Sequence, residues 1–227
     1  MIGYYDQTLS ALRLKQCYDI APPRVRQYFQ AEIDHAMKYM RRRDIILDLG
    51  CGYGRIIPQL SQKVRFVFGI DTSLPSLLMG KEYLKDVPNC MLQRMNAVEM
   101  AFSNESMDMV LCLQNGLSAF HVDQRMLVRE CIRVTKPGGI ILFSSYSEKF
   151  WNFRLEWFKL QSEAGLLGEI DEEQTKDGVI VCKDGFTATT IRPEDFRKLI
   201  RWFRNITVSC EEVDQSCIFF KIQKDNR

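Results

Sequence analysis

The chain is poor in histidine, with His35 and His121 as the two it contains. No His, Cys and Asp grouping has the spacing of a metal site, so no metal is expected. An excess of charge is also missing. Lys and Arg number 31 and Asp and Glu 29, for a net +2. That balance leaves no electrostatic footprint for nucleic acid or an anionic membrane. The run Arg41-Arg42-Arg43 stands just before an apolar segment and reads as a solvated helix end. No apolar run approaches the ~20 residues a membrane helix needs. Met1 to Leu12 is polar and broken by Gly3 and Asp6, unlike a secretory leader. Eight cysteines are scattered singly, with no C-x-x-C pair, which argues against zinc ribbons and thioredoxin-type redox motifs. Several lie inside apolar runs as small buried residues, and a reducing, cytoplasmic setting is expected.

What the chain does have is length and rhythm. Its 227 residues suffice for one sizeable domain with a real core, and 46% hydrophobic with 26% charged residues is ordinary for a globular protein. Residues 24–43 carry Val25, Tyr28, Phe29, Ile33, Met37 and Met40 at helical spacing. Short apolar runs at 45–49, 65–70, 90–95, 107–113 and 139–145 alternate with helical patterns at 55–62, 74–84 and 125–134. That alternation predicts an α/β fold, a parallel sheet with helices on both faces. The last third differs. Residues 148–167 form a helix rich in aromatics, and 178–191 a hairpin turning at Lys183-Asp184-Gly185. A helix at 193–203 and two closing strands, 206–213 and 216–222, follow.

The segment Asp48-Leu49-Gly50-Cys51-Gly52-Tyr53-Gly54 directly follows the first strand. Its glycines let the backbone turn sharply and let a ligand approach the main chain. A Walker loop would need Gly-Lys-Ser/Thr downstream, which is absent. A dinucleotide loop would place a third glycine where Arg55 stands. A pyrophosphate would also be repelled by Asp48, whereas an ammonium group would be attracted. S-adenosylmethionine carries an ammonium and a sulfonium and no phosphate. The second strand ends at Asp71, near the distance expected for an acid that accepts from both ribose hydroxyls, and Thr72-Ser73 then opens the next helix.

With these segments and Arg133-Val134-Thr135-Lys136-Pro137-Gly138-Gly139 in order, residues 44–145 resemble the class I S-adenosylmethionine-dependent methyltransferases, of the small-molecule type that includes ubiquinone- and menaquinone-biosynthesis enzymes. The resemblance implies a Rossmann-like, doubly wound, mostly parallel seven-stranded sheet with an antiparallel closing strand. It divides one domain into an N-terminal helical cap (1–43), a cofactor-binding core (44–147), a helix-plus-hairpin lid insertion (148–192) and a closing helix and strands (193–227). It implies that Asp48, Gly50, Cys51 and Gly52 back the methionine moiety, that Asp71 takes the ribose with Thr72 and Ser73 beside it in the cofactor site, and that Asn96-Ala97 meets the adenine. Gln114-Asn115, after the fourth strand, falls where cofactor and substrate meet. This stretch has no prolines, unlike the enzymes that methylate nucleic-acid bases on nitrogen.

The family's N-terminal helices fold over the cofactor. Tyr4, Tyr5, Tyr18 and Tyr28 crowd that region, and Tyr18 and Arg24 are the candidates for the sulfonium and the cofactor carboxylate. The methyl group arrives activated, so a base is needed only where the acceptor must lose a proton. His121 is the weak candidate for that base, against a reading as a packed or capping residue, and His35 reads as a surface residue. Aromatics at 150–160 suit an apolar or aromatic substrate, or simply bury the lid. The expected function is methyl transfer from S-adenosyl-L-methionine to a small molecule, leaving S-adenosyl-L-homocysteine. A methyltransferase for RNA or protein, and a non-catalytic binder of the cofactor, are the alternatives. Expected partners are a small-molecule substrate, no nucleic acid and no membrane, with the chain a monomer or homodimer.

Overall fold

A computed structural model describes residue 4 and residues 8–226. Tyr5, named above, lies outside them. Helices α1 (Ala11–Asp19) and α2 (Pro23–Met37) precede the first strand. Strand β1 (Ile45–Leu49) leads to a short α3 (Ile57–Ser61), then β2 (Phe66–Asp71), α4 (Leu74–Tyr83), β3 (Cys90–Arg94) and β4 (Met107–Cys112). After β4 come α5 (Gly116–Ala119), α6 (Gln124–Val134) and β5 (Thr135–Tyr146). A 3-10 turn (Glu148–Phe150) opens α7 (Trp151–Glu163), followed by the hairpin β6 (Val179–Val181) and β7 (Thr187–Thr189). The chain ends with α8 (Pro193–Ile200), β8 (Ile206–Val213) and β9 (Cys217–Lys224).

The main sheet has seven strands in the order β3-β2-β1-β4-β5-β9-β8. All pairings from β3 to β5 are parallel, and β9 runs antiparallel between β5 and β8. The expected doubly wound sheet with an antiparallel closing strand is therefore present. Strand β1 is buried on both sides because both faces of the sheet are covered. Ile46 joins a core with the N-terminal helices and α7, whereas Leu47 and Leu49 join the opposite core with α6 and α8. Helix α6 forms because Leu127, Val128, Cys131 and Val134 share a buried stripe and Asp123 caps its first turn.

Three local expectations change. Helix α3 covers Ile57–Ser61 alone, because positive φ at Gly52 and Gly54 keeps the preceding residues in turns. Strand β5 starts at Thr135, not after the Pro-Gly-Gly turn. Met107 pairs with Thr135 and Met109 with Ile140, so residues 136–139 form a bulge within the strand, with Gly138 at φ 73°. His35 is not on the surface. It is 2% exposed, with its ring 4.3 Å from Phe219, because α2 packs on the sheet face that carries Phe219 and Tyr146. Burial lowers its pKa below the ordinary imidazole value.

The aromatic helix α7 and the β6–β7 hairpin form one unit. Arg154, fully buried, donates to the carbonyls of Gly178 and Ala188 and to the Thr190 hydroxyl, and its guanidinium lies 4.2 Å over the Tyr146 ring. Among the described residues no helix is long and apolar enough to cross a membrane.

Candidate functional site

The chain reverses its winding between β1 and β4, and in an open α/β sheet ligands bind beyond the strand ends at that point. The glycine loop leaves β1 there, with Gly50 at φ 66°, Gly52 at 56° and Gly54 at 80°. Side chains at these positions would be strained. Asp71, at the end of β2, ties the loop in place. Its carboxylate accepts from the Gly52 N–H and the Ser73 N–H, each at 2.8 Å. Ser73 caps α4 by accepting from the Ser76 N–H.

A cavity of about 270 Å³ runs over this loop. Asp71, Thr72, Ser73, Asn96, Ala97 and Val122 line one end. Gly50, Gly52 and Gln114 form its waist, and Tyr146, Trp157, Phe158, Gln161 and Phe186 line the other end with Tyr4 and Cys17. Tyr18 and His121 also reach it. His121 follows α5 at φ 50°. Of the large apolar residues in and just before α7, Trp157 and Phe158 line the cavity, while Phe150 is buried against Tyr28 and Phe153 is exposed.

A second cavity of about 60 Å³ adjoins the waist and shares Tyr18, Gly50, Gly52 and Gln114 with the first. Asp48, Cys51, Arg55 and Glu32 complete it. Burial pushes the Asp48 carboxyl up to about 7, helped by the negative charges of Asp71 and Glu32 and opposed by Arg55. Burial likewise raises Glu32, opposed by its bonds from Ser144, Gln114 and Tyr28 and by Arg55. The Arg55 guanidinium sits 4.4 Å over the Tyr18 ring and 5.0 Å over Phe29. Tyr18 donates its hydroxyl to Gln114 Oε1 at 2.8 Å. Three carboxylates and one guanidinium thus face the joined cavities, an arrangement that favours a cation and repels phosphate.

The structure brings together Tyr18, Asp48, Gly50, Cys51, Gly52, Asp71, Thr72, Ser73, Asn96, Ala97, Gln114 and His121. It separates two others. Arg24 points away, donating to the Asp214 carboxylate and carbonyl at 2.6 Å each, because the β8–β9 turn presents both groups to it. Asn115 is 3% exposed and lines neither cavity. Its amide donates to the Thr189 carbonyl at 2.9 Å and accepts from the Ser145 hydroxyl at 2.8 Å, latching β4 to the hairpin. Gln114 and Asn115 have φ of 52° and 62°, and such non-glycine strain concentrates at functional sites.

Sequence reasoning missed Arg55 and Glu32. Arg55 was visible as the residue that replaces a dinucleotide glycine. Glu32 was visible as an acid among the helically spaced apolar residues of α2, which buries Val25, Tyr28, Phe29, Ile33 and Ala36. Among the described residues no group of His, Cys, Asp or Glu could hold a metal ion.

Residues 46–139 match the family described as "Methyltransferase domain". Over 134 residues the chain is 29% identical to malonyl-[acyl-carrier protein] O-methyltransferase of Marinomonas sp., covering 56% of this chain and 48% of that protein. It is 31% identical to ubiquinone biosynthesis O-methyltransferase of Pseudomonas fluorescens (strain Pf0-1), covering 58% and 53%. The chain spans about half the length of these curated relatives. Among solved structures, the DhpI–SAH complex aligns with a TM-score of 0.65 at 15% identity, covering 99% of this chain and 98% of that one. A SAM-dependent methyltransferase from Aquifex aeolicus aligns with a TM-score of 0.62 at 14% identity, covering 92% and 97%. These alignments show a shared fold.

Proposed function

We propose that this chain, whose residues 46–139 match a methyltransferase domain, is a class I enzyme that transfers a methyl group from S-adenosylmethionine to a small apolar or aromatic molecule. One observation carries the reading. A single cavity runs from Asp71 and Asn96, across the glycine loop, to an aromatic end at Tyr146, Trp157 and Phe186. The buried polar atoms of Glu32 and Gln114 that lack partners, and glycines where a side chain would be strained, fit the amino-acid end and the backbone approach of that cofactor.

In this reading Asp71 accepts from the ribose hydroxyls, and Asn96 and Ala97 border the adenine. Asp48 faces the ammonium and Arg55 takes the carboxylate in place of Arg24. When bound, the cofactor supplies a methyl carbon on a cationic sulfur. The chain's part is alignment and exclusion of water. The aromatic end holds the acceptor, Gln114 and Tyr18 fix the waist, and His121 on the cavity wall takes the acceptor's proton where one must leave.

The test is transfer of labelled methyl from the cofactor into cell extract, sorted by product size. Label in the small-molecule fraction is expected. Label in RNA or protein would replace the acceptor class, and binding without transfer would make the chain a cofactor-binding protein. For the ribose, Asp71→Ala should weaken cofactor binding in calorimetry by on the order of 1.5–3 kcal/mol per lost charged hydrogen bond. Unchanged affinity would remove Asp71 from that role.

A further inference from the structure

We propose that Glu32 of α2 and Gln114 beyond β4 read the amino-acid end of the cofactor, making the N-terminal helices part of the binding site and not only a cover over it. The proposal rests on the cofactor assigned above.

Glu32 is 1% exposed and lines the small cavity. Its Oε1 is heavily used, accepting from the Ser144 hydroxyl, from the Gln114 N–H at 3.0 Å and from the Tyr28 hydroxyl at 3.3 Å. Its Oε2 is buried with no hydrogen-bond partner. Gln114 shows the same asymmetry. Its Oε1 takes the Tyr18 hydroxyl, while its Nε2 is buried without a partner. A buried polar atom left unpaired is costly, so each of these atoms calls for a partner. Two residues with such atoms line one cavity of about 60 Å³ beside Asp48 and Arg55.

The set has a definite chemistry. Glu32 Oε2 and Asp48 are acceptors for a cation, whereas Gln114 Nε2 and the Arg55 guanidinium are donors for an anion. A ligand that offers both within a few bonds is an α-amino acid. Charge points the same way. Glu32 and Asp48, when ionised, exceed Arg55 by one negative charge. The amino-acid end is neutral overall, and the adjoining sulfonium supplies the missing positive charge. The demethylated product lacks that charge, so this lining favours the methylated cofactor and assists product exchange.

The link also reaches the substrate side. Glu32 Oε1 holds the backbone of Gln114 in its positive-φ conformation, at the waist shared by both cavities. Occupying Oε2 with the ammonium therefore fixes α2 and the β4 terminus together.

Calorimetry on the full chain tests this with two probes. S-adenosylhomocysteine has the amino-acid end, and 5′-methylthioadenosine keeps the adenosine and sulfur without it. The wild-type chain should bind the first at least about 100-fold more tightly. Glu32→Gln places an amide donor where the ammonium needs an acceptor. It should weaken S-adenosylhomocysteine at least about 10-fold and methylthioadenosine less than about threefold. Gln114→Met should show the same selective loss, and it decides the matter if Glu32→Gln fails to fold. Tyr28→Phe, which touches Oε1 alone, should leave both affinities within about twofold. Equal binding of the two probes by the wild-type chain, or an equal loss of both in the variants, would overturn the proposal. Wild-type binding of neither probe would instead overturn the cofactor assignment itself.

Discussion

Asp48 is under two opposed demands. The folded protein buries it and holds its carboxyl near 7, while the unfolded chain ionises it near the ordinary 3.8. Between those values the folded state binds the extra proton, so stability falls as pH rises from about 4 to 7 and levels off above. The full effect is on the order of 4 kcal/mol. Asp48→Asn should flatten this dependence, leaving the variant more stable than wild type at pH 8 in urea unfolding. A cofactor ammonium favours the ionised form, so wild-type affinity should climb as pH rises through about 7, and Asp48→Asn should lose both the affinity and the climb in calorimetry. A pH-independent affinity would separate Asp48 from the ammonium. Trp157 is the matching test at the aromatic end of the cavity. Its Nε1–H donates to the Cys17 carbonyl at 2.8 Å and its ring stands edge-on to Phe29 at 5.2 Å, so Trp157→Ala should cost about 3–5 kcal/mol of stability. The milder Trp157→Phe should lower kcat/KM for the acceptor about tenfold, with S-adenosylhomocysteine affinity held. Full turnover in that variant would show that the rings merely pack.

At the scale of elements, close approach overrides propensity. Gly80 lies in α4, where alanine is normally the better helix former by about 1 kcal/mol. A Cβ there would stand 2.9 Å from the Tyr53 carbonyl oxygen and 2.5 Å from the Leu92 side chain. Gly80→Ala should therefore destabilise by about 1–3 kcal/mol, read as a lower Tm. A raised Tm would mean that the glycine loop can shift away. The β8–β9 turn works in the opposite sense. Gln215 is exposed with φ 52°, where glycine carries no Cβ penalty, so Gln215→Gly should stabilise by about 0.5–1 kcal/mol. Element boundaries were legible in proportion to local signal. Helix α6 was readable within a residue because its apolar stripe and its Asp123 cap are both local. The bulge at 136–139 was not, because pairing with β4 decides where β5 begins.

On the scale of the whole molecule, the N-terminal segment and the proposed lid meet over the cavity. Tyr4 donates its hydroxyl to Asp184 at 2.6 Å, and its ring stands 5.1 Å from Phe186. Arg13 donates to the carbonyls of Gly165 and Leu166 at 2.7 and 3.0 Å. These bonds join α1 to the segment after α7, and residue 4 to the hairpin. We expect this seam to gate the cavity. Bound S-adenosylhomocysteine should slow amide exchange in residues 9–20 and 179–189 together, and Tyr4→Phe should weaken that coupling. Slowing confined to the glycine loop would mean that the seam does not gate the cavity.

The sequence by itself determined the sheet's parallel core, the glycine loop and the grouping of Asp48, Asp71, Asn96 and Gln114. Each of these follows from residues near in the chain, or from strand ends that a parallel sheet must bring together. The tertiary structure decided the rest. Arg24 was given to Asp214 by a turn 190 residues away, and Asn115 was given to the hairpin through Thr189. His35 and Glu32 were buried by the way α2 crosses the sheet, and Arg55 was placed over Tyr18 by the packing of α1 on the loop. A side chain's partner depends on which face of its helix meets which distant element, and that relation is set by packing, not by local spacing.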